Sequence, residues 1–363
     1  MQDADALVVG AGPAGLATAI SLARRGVETL VIERRVPPLD KACGEGIMPA
    51  GVRTLAALGV ELSSLRAAPF RGVRFIEGER AFAGRFATGA GLGIRRTVLS
   101  NALLEVASKA GVEVRFACAL DRWELRAEGV CARTSQGEVS ARVLIGADGL
   151  ASRVRAHAGL AAPSAPRRFG MRRHLRLAPW SEEVEVHWGD AAEAYVTPVA
   201  PDEVGVALLG SGDGRRYPDL LARFPALAAR LADAEPVSEV RGGGPFWQRA
   251  RSRVAERVAL IGDAAGYTDA VTGEGITLAL HSAAALARVI AERRPLAEYE
   301  TAWRRLSRAH RAMAALLGFG TAHPRLRRAA FRALAAAPLA FEALLRIAAD
   351  EGVRGLSRTG SRS

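Results

Sequence analysis

Hydrophobic residues along this chain follow two periods, and the change between them marks its parts. Ala6-Leu7-Val8-Val9 is a continuous apolar run, as expected of a strand buried on both faces. An apolar helix over 16–25 and a second buried strand, Thr29-Leu30-Val31-Ile32, follow it. A loop and a short helix over 49–58 complete a β-α-β opening. Residues 71–88 hold two short strand-like runs, 73–76 and 81–86. Val98, Leu99, Ala102, Leu103 and Val106 fall on the helical period, predicting a helix over 96–110. A strand over 112–116 and a meander through Leu125 and Val130-Cys131-Ala132 lead to the apolar run Val143-Leu144-Ile145.

Period-2 alternation then takes over in Glu183-Val184-Glu185-Val186-His187-Trp188, with further strands at 193–199 and 204–209 and a turn at Pro201-Asp202. This pattern predicts an antiparallel sheet separate from the α/β part. The buried-strand pattern returns at Val258-Ala259-Leu260-Ile261, and a long helix follows over 276–291. The expected organisation is therefore an α/β nucleotide-binding domain in three pieces, 1–70, 94–163 and 251–295. A β-rich substrate domain, 71–93 and 164–250, is inserted into it, and an arginine-rich helical region, 296–363, ends in a polar tail over 357–363.

Composition adds limits. At 363 residues, with 49% hydrophobic residues and a mean hydropathy of +0.08, the chain can bury a sizeable core. It has no long uncharged apolar stretch and no basic-then-apolar leader, so the expected location is the cytoplasm. Three unpatterned cysteines, Cys43, Cys118 and Cys131, fit a reducing compartment and no metal site. The net charge is +12, and lysine occurs only at 41 and 109 among the 50 basic residues. Arginine-favouring codon usage is the simpler account of this, and a surface for anionic partners the sharper one. Without stacking aromatics or a nucleic-acid motif, no nucleic-acid partner is expected.

Three glycine-containing turns carry the chemistry. The first strand runs into Gly10-Ala11-Gly12-Pro13-Ala14-Gly15, and the second ends in Glu33. Gly10 permits the tight turn, Gly12 admits a pyrophosphate to the backbone, and Gly15 lets helix and strand pack closely. The helix N-terminus faces the phosphates, and Glu33 can accept bonds from ribose hydroxyls. This is a Rossmann-like dinucleotide fingerprint. The second turn is Gly146-Ala147-Asp148-Gly149, followed by Ser152 and Arg155; the third is Gly262-Asp263-Ala264-Ala265-Gly266. Each follows an apolar strand. Asp148 and Asp263 can also be read as turn-forming or helix-capping residues.

With these three turns in order, the chain resembles the FAD-dependent oxidoreductases of the p-hydroxybenzoate hydroxylase type, over about residues 5–295. The resemblance is nearest the geranylgeranyl reductase and flavin halogenase branches. It implies a tightly bound FAD and a transient NAD(P)H reductant with no second nucleotide domain. By this resemblance Glu33, with Arg34 beside it, marks the adenosine ribose. Asp263 would hold the ribityl chain, Asp148-Gly149 would lie near the pyrophosphate, and Arg96 would open a helix that contacts FAD. The segment Cys43-Gly44-Glu45-Gly46-Ile47-Met48-Pro49 resembles one that lies along the flavin, with Lys41 just before it. Thr272-Gly273-Glu274-Gly275-Ile276 resembles the flavin-facing helix start.

The resemblance also frames the reaction. Halogenation would require a channel lysine and a Trp-x-Trp segment, and neither is present. Prenyl reductases carry Tyr-x-Trp-x-Phe-Pro, where this chain has Ala194-Tyr195-Val196-Thr197-Pro198-Val199 without the tryptophan. The expected activity is therefore monooxygenation. NAD(P)H reduces FAD, O2 adds as a flavin C4a-hydroperoxide, and oxygen passes to a lipophilic aromatic, quinone-like or polyketide substrate of secondary metabolism. Reduction of a prenyl or conjugated double bond is the alternative, and flavin binding without turnover a more distant one. Tyr195, His187 and Glu274 are the expected catalytic residues, with Tyr267 and Asp269 as further polar candidates. His174, among arginines, reads as surface, and His281 as a packing residue. The C-terminal helices read as a cap over the substrate mouth, with peripheral membrane contact as a second role.

Overall fold

The computed structural model describes residues 3–163, 168–211, 216–268, 273–336 and 342. Its first sheet runs in the order Val254–Ala255, Val258–Leu260, Gly137–Gly146, Ala4–Val9, Thr29–Ile32, Glu113–Arg115. From Val258–Leu260 onward the neighbours in that order are parallel. Leu7 lies between Leu30 and Leu144, all almost fully buried, which is why these strands read as unbroken apolar runs. A meander, Leu120–Arg126 and Gly129–Thr134, extends the sheet antiparallel to Gly137–Gly146. Helix Pro13–Ala23 packs against both Arg96–Lys109 and Gly275–Ala291.

The second sheet runs Glu235–Pro236, Arg168–Arg176, Glu203–Ser211, Ala192–Ala200, Glu183–Gly189, Gly72–Glu77, Arg80–Arg85. One junction departs from the expected antiparallel pattern: Glu183–Gly189 pairs parallel to Gly72–Glu77. The two strands come from different pieces of the insert, so no tight hairpin constrains their direction. The sheet's two faces have separate partners. Phe75, Phe82, Val186, Trp188, Tyr195 and Leu209 pack on one. Ala194, Val196, Val206 and Leu208 pack on the other beneath Tyr217, Leu220, Phe224 and Leu227. Those four belong to or adjoin helices Tyr217–Leu221 and Pro225–Arg230, which the strand pattern did not anticipate.

A small third sheet, Gly46–Ile47, Gly91–Ile94 and Ala67–Phe70, joins the two parts. Here glycine is required by space: a Cβ at Gly93 would lie 1.7 Å from the Pro198 carbonyl oxygen of the inserted sheet.

Helices Arg308–Ala322 and Pro324–Ala336 close over the first face of the inserted sheet. Phe331 inserts among Phe82, Trp188 and Phe75, with centroids at 4.9, 6.2 and 6.4 Å. The Arg327 guanidinium donates to Glu77 at 2.7 Å and lies over the Trp188 ring. Thr321 donates to Glu193, a fully buried carboxylate that also pairs with Arg168.

The preceding helix, Ala297–Leu306, is held to the nucleotide-binding part by Glu300. Its carboxylate accepts the Arg253 backbone N–H at 2.7 Å, both Nε and NH2 of Arg253 at 2.9 and 2.5 Å, and Arg304 Nε at 2.6 Å. Burial raises the Glu300 pKa, but these bonds outweigh it and bring the carboxyl to about 2. Relative to an ordinary glutamate this corresponds to about 3 kcal/mol of stability. The contribution is complete above the unfolded-state pKa and is lost as pH falls through the folded one. Glu300→Gln should therefore lower the unfolding free energy at pH 7 by about 2–3 kcal/mol, a deficit that shrinks below about pH 4.5. Coincident urea transitions of the two proteins at pH 7 would refute this.

Candidate functional site

A cavity of about 640 Å3 lies between the nucleotide sheet and the inserted sheet. Tyr195, Tyr267, Glu274, Gly10, Gly12, Glu33, Arg34, Lys41, Cys43, Arg96, Asp148, Gly149 and Asp263 line it, whereas Gly15 and His187 do not. Its two ends differ in chemistry.

One end is built from the glycine turns. Gly10 has φ +111°, and a Cβ there would sit 2.5 Å from the Ala147 carbonyl oxygen. A Cβ on Gly15 would come within 1.9 Å of the Gly10 oxygen, so Gly15 serves the packing of helix on strand. Gly12 is different. Its backbone is extended, and a Cβ there would meet only the Arg96 guanidinium, at 3.5 Å. Gly12 therefore leaves open space beneath a cation. Helix Pro13–Ala23 starts at this point with no side-chain cap and no acid in its first turn, so its free N–H groups are available to an anion. Glu33 accepts from the Ala11 and Arg35 N–H groups at 2.9 and 3.1 Å, which fixes its carboxylate beside the turn. Arg34 lines the cavity next to it.

Lys41 Nζ donates to Asp263 at 2.5 Å. Burial pushes the Asp263 carboxyl up, but Lys41, with Arg96 and Arg155 behind it, holds it below the usual carboxylate range. Asp148 is committed differently. It accepts from Ser152 Oγ and from the Arg153 and Val154 N–H groups, capping helix Arg153–His157. Gly149 (φ +83°) completes that turn and faces Lys41. Arg155 links the second and third signatures, donating to the Leu150, Asp263 and Ala264 carbonyls and to Gln248.

These features fit FAD. An uncapped helix start and Arg96 face the space that Gly12 leaves for a pyrophosphate. The Glu33 carboxylate could accept from ribose hydroxyls, and ionised Asp263 from ribityl hydroxyls.

The loop through Cys43 and Gly44 is fixed from both sides. Thr197 of the inserted sheet donates to the Gly44 carbonyl at 2.8 Å, and Cys43 Sγ accepts the Glu45 N–H at 3.4 Å. Glu45 is buried, with φ +60°. Its carboxylate accepts the Arg96 N–H at 2.7 Å and His174 Nε2 at 2.6 Å. Arg172 NH1 lies 3.2 Å from His174 Nδ1. Nδ1 also lies 2.9 Å from Ser238 Oγ, so both ring nitrogens are engaged and the imidazole is held between Glu45, Arg172 and Ser238. Arg172 also donates to Asp40 at 2.5 Å and to the Lys41 carbonyl at 3.2 Å. His174 is thus 1% exposed, and its surface assignment is corrected.

The other end is apolar and aromatic. Phe70, Phe75, Tyr195, Phe246 and Tyr267 line it, roofed by Met313, Leu316, Leu317 and Leu334 of the C-terminal helices. Tyr195 pairs across the sheet with Val186, and both face the cavity. His187, one residue on, therefore points to the opposite face, where its Nε2 lies 3.1 Å from Glu185. Its expected catalytic role is corrected on this geometry.

Glu274 lies at the start of helix Gly275–Ala291, where Gly273, Gly275 and Ile276 also line the cavity. Its carboxylate is 3.1 Å from His310 Nδ1 of helix Arg308–Ala322. Sequence spacing gave no signal for this pair. His281 packs with Nε2 3.1 Å from Thr54 Oγ1, and burial, then Arg53, hold its pKa down. Asp269 and Thr272 lie outside the described residues.

Residues 3–302 match the FAD binding domain family. The chain is similar to digeranylgeranylglycerophospholipid reductase 2 of Methanosphaera stadtmanae, 26% identical over 302 residues, covering 78% of this chain and 76% of that one. It is also similar to dialkyldecalin synthase of Streptomyces rugosporus, 29% identical, covering 76% of this chain and 63% of that one. Among solved structures, a flavoprotein/dehydrogenase from Cytophaga hutchinsonii superposes with a TM-score of 0.76 at 19% identity, covering 89% of this chain and 87% of that one.

The glycines separate folding from binding. Gly12→Ala should fold with an unchanged melting temperature as apoprotein, yet retain FAD at least roughly tenfold more weakly, because the new methyl occupies the phosphate approach. Gly15→Ala should fail to fold. Equal FAD retention by Gly12→Ala and wild type would reject this assignment.

Proposed function

The chain belongs to the FAD-binding-domain family, and from that premise we propose that it is an FAD-dependent monooxygenase. Its substrate is a lipophilic aromatic, quinone-like or polyketide compound, which it hydroxylates or epoxidises. The observation that carries this reading is the aromatic-walled, roofed end of the cavity, which abuts the flavin-binding turns in a cavity lined also by Glu274, whose carboxylate meets His310.

FAD, once reduced by NAD(P)H, supplies the electron pair that activates O2. The chain's own residues do the rest. Phe70, Phe75, Phe246 and the Tyr195 and Tyr267 rings bury a flat apolar substrate by offset and edge contacts. Met313, Leu316, Leu317 and Leu334 keep bulk water out, which protects activated oxygen from wasteful release. Glu274, with His310 on its carboxylate, accepts the proton of a phenol or enol, making the adjacent carbon more nucleophilic. The start of helix Gly275–Ala291 presents backbone N–H groups that stabilise negative charge on a reduced flavin.

A second reading, reduction of a prenyl or conjugated double bond, draws support from the reductase name of the Methanosphaera relative. An apolar cavity suits a polyprenyl chain as well, and the same proton-bearing pair could then protonate carbon. Relatives of similar identity carry different names, so identity at this level does not choose the reaction.

Oxygen separates the two. With NADPH and a lipophilic phenol, the purified protein should consume NADPH faster than without substrate and place one atom of labelled O2 in the product. Glu274→Gln should retain FAD while lowering kcat by about 100-fold on phenolic substrates. Anaerobic saturation of a double bond, with no label gained in air, would replace the first reading with the second.

A further inference from the structure

Thr301 through Phe341 contain eight arginines and not one aspartate or glutamate. No other part of the chain is so one-sided in charge over such a length. The asymmetry reaches the surface. Arg305, Arg308, Arg325 and Arg332 are exposed and make no ion pair among the described residues.

The same helices expose large apolar side chains. Leu316, Phe319 and Leu326 are 59%, 51% and 56% exposed, and they make up half of the large exposed hydrophobic residues among those described. On helix Arg308–Ala322 the exposed positions are Arg308, Arg311, Ala312, Ala315, Leu316 and Phe319. That is one stripe at helical spacing, cationic at its start and apolar at its end. His323 stacks on Phe319 with ring centroids 4.0 Å apart, and Leu326 lies in the first turn of the next helix. A helix that turns its leucine and phenylalanine outward on the side that carries its arginines has the reverse of a soluble helix's pattern.

Leu316 belongs to both surfaces. It lines the cavity roof and is also more than half exposed, so the patch is continuous with the mouth of the cavity.

We propose that the outer face of helices Arg308–Ala322 and Pro324–Ala336 docks on an anionic phospholipid surface and that the cavity opens onto it. Leu316, Phe319 and Leu326 enter the acyl boundary, and Arg305, Arg308, Arg325 and Arg332 meet lipid phosphates. No helix among the described residues is long and apolar enough to cross a membrane, so the contact is peripheral. Anionic polymers such as RNA would satisfy the arginines but leave the apolar stripe without a partner. On the proposed function, the substrate then enters from the lipid phase past Leu316 without crossing water, and this part alone rests on that reading.

Flotation of the FAD-loaded protein tests the docking without any turnover. It should float with phosphatidylcholine vesicles containing phosphatidylglycerol and at least roughly tenfold less with phosphatidylcholine alone. Phe319→Ser/Leu326→Ser, at positions that do not line the cavity, should keep the melting temperature and FAD content and lose at least roughly tenfold in vesicle binding. Arg325→Glu/Arg332→Glu should lose a similar amount. For a substrate dissolved in vesicles, the serine variant should raise KM several-fold and leave kcat unchanged. With the same substrate in neutral detergent micelles, both constants should match wild type. Flotation of the serine variant equal to wild type would mean that only charge is recognised and would overturn the proposal. Absence of turnover with flotation intact would count against the proposed function and leave the docking standing.

Discussion

The arrangement of this molecule depends on one buried carboxylate. Glu45 lies in a loop of the nucleotide-binding part, accepts the N–H at the start of helix Arg96–Lys109, and accepts the imidazole proton of His174 in the inserted sheet. A carboxylate this deep loses several kcal/mol of hydration. Compensation comes from an alternating series, in which Asp40 and Glu45 flank Arg172 and Arg172 borders His174. Burial raises the Asp40 pKa, but Arg172 overcomes this and keeps it ionised. Apolar residues of matching shape can often be as stable as such a set. What the series adds is direction: each hydrogen bond accepts only one placement of the loop between Asp40 and Gly46, and that loop forms a wall of the cavity.

With that wall fixed, the cavity divides by chemistry along its length. Fixed charges and backbone N–H groups gather at the glycine turns, where a charged and hydroxyl-rich ligand has partners. Beyond Thr197 and Gly46 the walls become aromatic and aliphatic. The roof over that second region is fastened along its length: His310 meets Glu274 beside the nucleotide turns, Thr321 donates to Glu193, and Arg327 with Phe331 grips the far edge of the inserted sheet.

How much of this could be read from the sequence follows the range of the forces involved. The parallel strands, the helices over Pro13–Ala23, Arg96–Lys109 and Gly275–Ala291, and the division into two sheets depend on local periodicity, which the chain displays openly. The glycine turns were legible because their spacing encodes a backbone approach. His174 was not. It sits in Phe169-Gly170-Met171-Arg172-Arg173-His174, where alternation buries Arg172 and His174 against partners well over a hundred residues away. Buried cations look like surface residues until their carboxylates are located. His187 failed for a related reason: period 2 was evident, but which face met the cavity was decided by helices Tyr217–Leu221 and Pro225–Arg230, covering the other one. The pairing of His310 with Glu274 likewise depends on the docking of a distant helix.

The late position of strand Val258–Leu260 bears on how the chain is made. Its parallel partner, Gly137–Gly146, ends about 110 residues earlier, and the whole second piece of the insert lies between them. At ribosomal speeds the interval is on the order of ten seconds. During it, Leu144, Ile145 and Gly146 present an unpaired, apolar sheet edge, the kind of surface that invites association with other nascent chains. The inserted sheet is complete before that edge is covered, so it is placed to fold first and to present His174 to the waiting Glu45. Synthesis order and the buried carboxylate thus bear on the same junction, the one between the inserted sheet and the loop that carries Glu45.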